Sequence, residues 1–215
     1  MANIHDGIAR ACADARRNPA EVTLIAVSKT QAEDSIRSLL DAGHRVFGEN
    51  RVQESAGKWP QLREAYPDVA LHLVGQLQSN KAEEAVRLFD VIHSLDRPSL
   101  LTALARAMDK VGRRLPCFIQ VNLAGEEQKG GCTPADLPAL LESARLADVP
   151  VAGLMTVPPV DLEPAPWFAL LAKLADDHGL TGLSMGMSDD YPTAVRIGAT
   201  HIRVGTALFG ARSAT

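Results

Sequence analysis

Eight short apolar runs recur along the chain, and each leads into a segment with helical spacing or the start of one. The runs are TLIAVS (23–28), RVFG (45–48), ALHLVG (70–75), DVIHS (90–94), CFIQVN (117–122), VAGLMTV (151–157), TGLSMG (181–186) and HIRVG (201–205). Runs this short, apolar on both sides and rich in β-branched residues, read as strands buried on both faces. The segments between them cover 34–42, 50–66, 79–89, 99–111, 134–147, 167–178 and 191–199. Pro98 and Pro134 sit where a helix begins, and Gly43, Gly112 and Gly179 sit where one ends. Strict alternation demands a parallel sheet with helical crossovers. Eight units predict an α/β fold with a single closed (β/α)8 TIM-type barrel. A further helix from Ile4 to Arg17 precedes the first strand, with Ile4, Ile8, Ala11, Cys12 and Ala15 on one face.

An open doubly wound sheet is the alternative. It is disfavoured because no glycine-rich dinucleotide fingerprint follows the first strand. No linker, internal repeat or low-complexity tract interrupts the pattern, so residues 1–215 are expected to form one domain. The PPVDLEPAP stretch (158–166) reads as a stiff loop.

Composition narrows the function classes. At 46% hydrophobic residues the chain has ample core. Its net charge of −4 lacks the basic footprint of a nucleic-acid or membrane-surface protein, yet leaves room for a local basic pocket. Three widely spaced cysteines, Cys12, Cys117 and Cys132, match neither a disulfide framework nor a zinc site. The start, MANIHDGIAR, lacks the pattern of a secretory leader, and no apolar run approaches membrane-spanning length. A cytoplasmic protein is expected.

The chemistry gathers where strands end, since the C-terminal rim of a barrel is its functional mouth. Lys29 follows the first strand almost at once. An amine beside apolar walls loses hydration, and a partly neutral lysine attacks aldehydes to form a Schiff base. By itself Lys29 reads more simply as a strand-end lysine reaching into water or pairing with an acid, so the case rests on the rest of the mouth. The seventh and eighth strands end in SMGMSDD (184–190) and RVGTALFG (203–210). Each offers a glycine and a hydroxyl before a helical turn: Gly186 with Ser188, and Gly205 with Thr206. Two such turns side by side form a cradle for a phosphate. Arg203, two residues before Gly205, is expected to point into the barrel and to need an acceptor there, from a structural carboxylate or a ligand atom. An amine, a phosphate cradle and a buried arginine together describe a site for pyridoxal 5′-phosphate. An arginine at its pyridine nitrogen would keep that nitrogen unprotonated and weaken the ring as an electron sink.

The blocks LIAVSKT, FGENRVQE (47–54), HLVGQLQSNK (72–81), QVNLAGEEQKGG (120–131), GLMTVP (153–158), LSMGMSDD (183–190) and RVGTALFGAR (203–212) resemble, in order, those of the YggS/PROSC family of pyridoxal-phosphate homeostasis proteins. The family is a barrel like that of alanine racemase. The resemblance implies a Schiff base on Lys29, phosphate held by Ser188, Gly205 and Thr206, Arg203 facing the pyridine nitrogen, and Asn50 lining the cofactor. Gly186 shares the seventh-strand turn, and Lys129 lies in a family block where it either helps hold the cofactor or is an exposed loop lysine. Arg51 stands where the family usually has tyrosine, and Leu71 where an aromatic often precedes the histidine. Lys81 reads as an exposed helix-start lysine. His72 and His93 read as core hydrogen-bonding groups, and Glu49 and Glu54 as acids favouring a helix dipole.

Two functions follow. The first is a carrier that buffers pyridoxal 5′-phosphate or delivers it to apoenzymes, expected as a monomer without nucleic-acid or membrane partners. The second is a pyridoxal-phosphate-dependent amino-acid racemase. Racemisation needs an acid and a base on opposite faces of the substrate. Lys29 supplies one, but the chain stops at Thr215, before any second β-rich domain bringing the opposing tyrosine. Tyr66 and Tyr191 lie in helical or turn segments and are not expected over the cofactor. A phosphosugar aldolase using Lys29 is a third reading, against which the family blocks speak.

Overall fold

The computed structural model describes residues 1–210, so Ala211 and Arg212 of the last sequence block lie outside the described residues. Eight parallel strands close into a barrel in sequence order. They are β1 (Thr23–Val27), β2 (Val46–Glu49), β3 (Ala70–Leu73), β4 (Val91–Leu95), β5 (Cys117–Gln120), β6 (Val151–Met155), β7 (Gly182–Ser184) and β8 (His201–Val204). Helices α2 (Glu33–Asp41), α3 (Val52–Ala65), α4 (Ala82–Leu88), α5 (Pro98–Val111), α6 (Leu137–Leu146), α7 (Ala165–Asp177) and α8 (Tyr191–Ile197) form the crossovers. A single turn, α9 (Thr206–Phe209), follows β8, and α1 (Ala2–Asp14) precedes the barrel.

Helix ends moved where the chain found better partners than periodicity reveals. The expected helix over 79–89 is a 3-10 turn, Ser79–Lys81, leading into α4. Pro134 does not open α6. Thr133 and Asp136 make a side-chain turn first, and the helix starts at Leu137 with Pro138 in its first turn. Helix α1 stops at Asp14, before the expected Arg17, because Arg16 turns left-handed at φ 55.

Strand register fixes which side chains fill the barrel. Ile25 pairs with Arg203, Gly48 with His72, Phe118 with Gly153, and Ser184 with His201. Residues in register face the same way, so these positions point inward and their neighbours point at the helices. The outward residues Leu24, Ala26, Phe47, Ile92, Ile119, Leu154 and Ile202 are apolar and buried, and Glu49 at the end of β2 is a charged exception. The inward set is unusual in being polar at its centre, where His72, His93, Ser184 and Arg203 are all buried.

Helix α1 lies against α8. Its Ile4, Ile8, Ala11 and Cys12 are buried, and beyond its end Arg17 Nη1 donates to the Val195 carbonyl at 2.6 Å. Through α8 it braces β8 and the turn that follows.

Candidate functional site

The first strand carries Lys29 to the rim, and its neighbours hold it there. Thr30 has φ 62, a left-handed value that a β-branched residue takes only under constraint. Glu54 provides the constraint: its Oε1 accepts the Thr30 N–H at 2.7 Å. On the other side of Lys29, Ser28 Oγ donates to Glu49 Oε1 at 2.7 Å. Lys58 joins both carboxylates, with Nζ at 2.8 Å from Glu49 and 3.1 Å from Glu54, and also donates to the Ser28 carbonyl at 3.2 Å. Lys29 itself is half-buried, and among the described residues its Nζ has no hydrogen-bond or ion-pair partner. Glu49 and Glu54 therefore do more than favour a helix dipole. Glu49 ends β2 with its side chain under α3, fully buried, where Trp59 Nε1 also donates to it at 3.0 Å.

The β1–β8 seam puts Lys29 next to the β8–α9 turn. Gly205 lies against β1, where a Cβ would come within 3.4 Å of the Val27 carbonyl oxygen. The N–H groups of Gly205 and Ala207 converge on Ser188 Oγ at 3.4 and 3.3 Å. Both contacts are long, and Thr206 and Ala207 are exposed. Acceptors stronger than a hydroxyl would improve the arrangement. Ser188 is aimed there by the turn after β7, in which Met187 N–H donates to Asp190 Oδ1 at 2.5 Å.

Arg203 faces inward as its register requires. Nη1 donates to Ser184 Oγ at 2.7 Å and Nη2 to the Thr156 carbonyl at 2.8 Å. Neither acceptor is a carboxylate. Burial brings the guanidinium down to about 10, an effect that Asp190 opposes from a distance, so it stays charged at neutral pH.

Lys29, Asn50, Ser188, Arg203, Gly205 and Thr206 all line one cavity of about 390 Å³, a size suited to a cofactor. Val27, Val74, Val157 and Met187 supply apolar wall, and Gln31 and Asp189 add polar groups not foreseen from the sequence. Two expected residues stand apart. Gly186 lies beneath the wall at φ 94, where a Cβ would strike Ala194 Cβ at 2.6 Å, so it is needed for close packing of β7 on α8. Lys129 is held over the loop after β5 by the Pro158 carbonyl at 3.1 Å and Glu126 at 2.6 Å, and does not line the cavity. Lys81 pairs with Glu84 at 2.8 Å on the surface.

A test of fit for pyridoxal 5′-phosphate rests on charge. The cavity presents an amine without a partner among the described residues, a buried guanidinium with only neutral acceptors, and two N–H donors that make only long contacts to a serine hydroxyl. This donor set is complementary to an aldehyde, an aromatic nitrogen acceptor and a phosphate. Among the described residues no group of three or more His, Cys, Asp or Glu is placed to hold a metal, and no helix is long and apolar enough to cross a membrane. The three cysteines are free and buried.

Comparison with known proteins identifies the family. The profile of the family described as "Alanine racemase, N-terminal domain" matches residues 6–213. The pyridoxal phosphate homeostasis protein of Pseudomonas aeruginosa is 40% identical, over 99% of this chain and 97% of its own length. The solved structure of PipY from Synechococcus elongatus with PLP bound superposes with a TM-score of 0.82 at 44% identity, covering 94% of this chain and 100% of that one. An alanine racemase of Clostridium difficile shares the fold, with a TM-score of 0.71 at 12% identity over 98% of this chain and 57% of that one. The chain belongs to the alanine racemase N-terminal domain family, in its YggS/PROSC group of pyridoxal phosphate homeostasis proteins.

Proposed function

We propose that the protein binds pyridoxal 5′-phosphate and buffers or delivers it, acting as a cytoplasmic monomer that hands the cofactor to apoenzymes. The observation that carries this reading is the convergence of the Lys29 amine, the Arg203 guanidinium and the Ser188–Gly205–Thr206 turn on one cavity. Lys29 is the covalent anchor for the aldehyde, the turn holds the phosphate, Arg203 donates to the ring nitrogen, and Asn50 flanks the ring. When bound, the cofactor supplies an electron-withdrawing aldehyde and ring. Arg203 moderates that ring, because a guanidinium donates hydrogen bonds without giving up a proton.

The relatives named for cofactor homeostasis support a carrier rather than a racemase. So do the two tyrosines. Tyr66 donates to Asp41 on the outer surface, and the Tyr191 hydroxyl packs on α1, where a Cβ at Gly7 would come within 2.0 Å of it. Neither lines the cavity.

Borohydride reduction of the protein mixed with pyridoxal 5′-phosphate, followed by peptide mapping, tests the assignment. The expected product is a reduced adduct on Lys29, absent from Lys29→Ala, which retains weak phosphate-driven binding. Labelling confined to another lysine, such as Lys129, defeats it. Turnover of a single-enantiomer amino acid at about 1 per second or faster would move the protein to the racemase reading.

A further inference from the structure

The floor of the cavity continues downward as a hydrogen-bonded chain through the barrel. Arg203 Nη1 donates to Ser184 Oγ at 2.7 Å. Ser184 Oγ lies 2.8 Å from His93 Nδ1, and His93 Nε2 lies 2.9 Å from His72 Nδ1. The chain crosses from β8 to β7, β4 and β3, and every member is buried.

Donor counting fixes its direction. A guanidinium only donates, so Ser184 Oγ accepts from Arg203; among the described residues His93 Nδ1 is the one acceptor within reach of its single proton, which therefore goes there. His93 must then carry its proton on Nε2 and donate to His72 Nδ1. Burial holds both rings neutral, which this order requires. The His93 ring is itself fixed, stacked on Phe118 with centroids 4.4 Å apart and planes at 13°.

We propose that Ser184 and His93 are positioning residues that lock the Arg203 guanidinium, with its remaining N–H groups turned upward, against the ring nitrogen of the bound cofactor. The proposal rests on the pyridoxal 5′-phosphate reading of the site. His93 acts by occupying the Ser184 proton. With no acceptor for that proton, the hydroxyl loses the contact that fixes its rotamer, and its oxygen is free to swing away from Arg203. The guanidinium then keeps only the Thr156 carbonyl at 2.8 Å as its tether. The other charged cluster near the site, Lys58 with Glu49 and Glu54, contacts Ser28 and Thr30 on either side of Lys29.

Two ligands separate positioning from packing: pyridoxal 5′-phosphate and its 1-deaza analogue, which has carbon in place of the ring nitrogen. Both carry the same aldehyde and phosphate, so those contributions cancel. Ser184→Ala is expected to weaken binding of the natural cofactor roughly 10-fold, the effect of one hydrogen bond to a charged group, while leaving the deaza analogue within about twofold. His93→Phe, which retains the stack on Phe118, is expected to act in the same direction and serves if Ser184→Ala does not fold. Cofactor labelled with nitrogen-15 in the ring gives an independent signal, its resonance moving in both variants. Equal loss with both ligands, or no loss with either, overturns the proposal and leaves the carrier reading standing. Absence of a borohydride-fixed adduct on Lys29 in the unsubstituted protein overturns the carrier reading and the proposal together.

Discussion

Lys58 spends its ammonium on three acceptors at once: Glu49, Glu54 and the Ser28 carbonyl. Its side chain is only 12% exposed and that of Glu49 is 0%. Removing one partner of such a pair strands a charge without water, which typically costs about 3 kcal/mol or more. Glu49 Oε2 already lacks a partner, and without Lys58 the carboxylate keeps only the neutral donors Ser28 Oγ and Trp59 Nε1, both on Oε1. Lys58→Met is therefore expected to lower the urea midpoint by about that energy at unchanged slope, and adding Glu49→Gln should restore most of it. A single substitution costing below about 1 kcal/mol would show that the pair does not hold the Lys29 turn. At this scale the sequence was readable where chemistry follows strand ends. Lys29, Ser188, Arg203, Gly205 and Thr206 were all visible as rim residues. Glu49 was not. It precedes a helix, which suggested a dipole role, whereas β2 runs one residue further and turns it under α3. Lys58 escaped notice because a lysine in a helix counts as solvent-facing unless a buried acid is known to lie beneath it.

Among the elements, β6 and β7 are the pair whose spacing leaves least room for change. A Cβ at Gly153 would come within 2.0 Å of the Gly182 carbonyl oxygen, a backbone atom that cannot swing aside. A Cβ at Gly182 would meet Phe118 Cε1 at 2.9 Å. The Phe118 ring fills the interior space that two side chains would otherwise take, and it stacks on His93. Close approach of these two strands thus sets the position of the histidine that leads to Ser184 and Arg203. Gly153→Ala is expected to destabilise the protein by about 3 kcal/mol, because its methyl must push β6 from β7. A thermal midpoint within a degree or two of the unsubstituted protein would refute this. The strand positions themselves were legible, since each is a short run buried on both sides. The start of α6 was misplaced at Pro134 because the turn made by Thr133 and Asp136 has no periodicity to betray it. The glycine pair was visible as letters, but its meaning depends on a neighbour strand that sequence does not name.

For the whole molecule, the polar interior makes stability depend on pH in a defined direction. His72, His93 and His201 come from three strands and surround one another, with ring centroids between 5.1 and 6.1 Å apart. No local pattern could show this, because the barrel's closure alone brings β3, β4 and β8 together at this point. Burial lowers all three: His72 to about 3, His201 to about 4, and His93 well below its ordinary value, where the neighbouring rings and Arg203 add to the effect. His44 moves the same way, also through burial. In the unfolded chain each ring takes a proton near pH 6.5. Below that value the unfolded state binds protons that the folded state refuses, so acid favours unfolding. Each such ring contributes at most about 1.4 kcal/mol per pH unit, or about 4 kcal/mol per unit for three. The contribution is fully present above pH 6.5, declines as pH falls, and levels for His201 near 4 and for His72 near 3. Most carboxylates titrate below about pH 5, which leaves the window from pH 6.5 to 5 to the histidines. Urea midpoints measured across it should be flat above pH 7 and fall steeply below, and His93→Phe should remove about one proton's share of the slope. A midpoint that stays constant from pH 7 to 5 would mean that the rings accept protons inside the barrel, and the ordered chain beneath Arg203 would not exist as drawn.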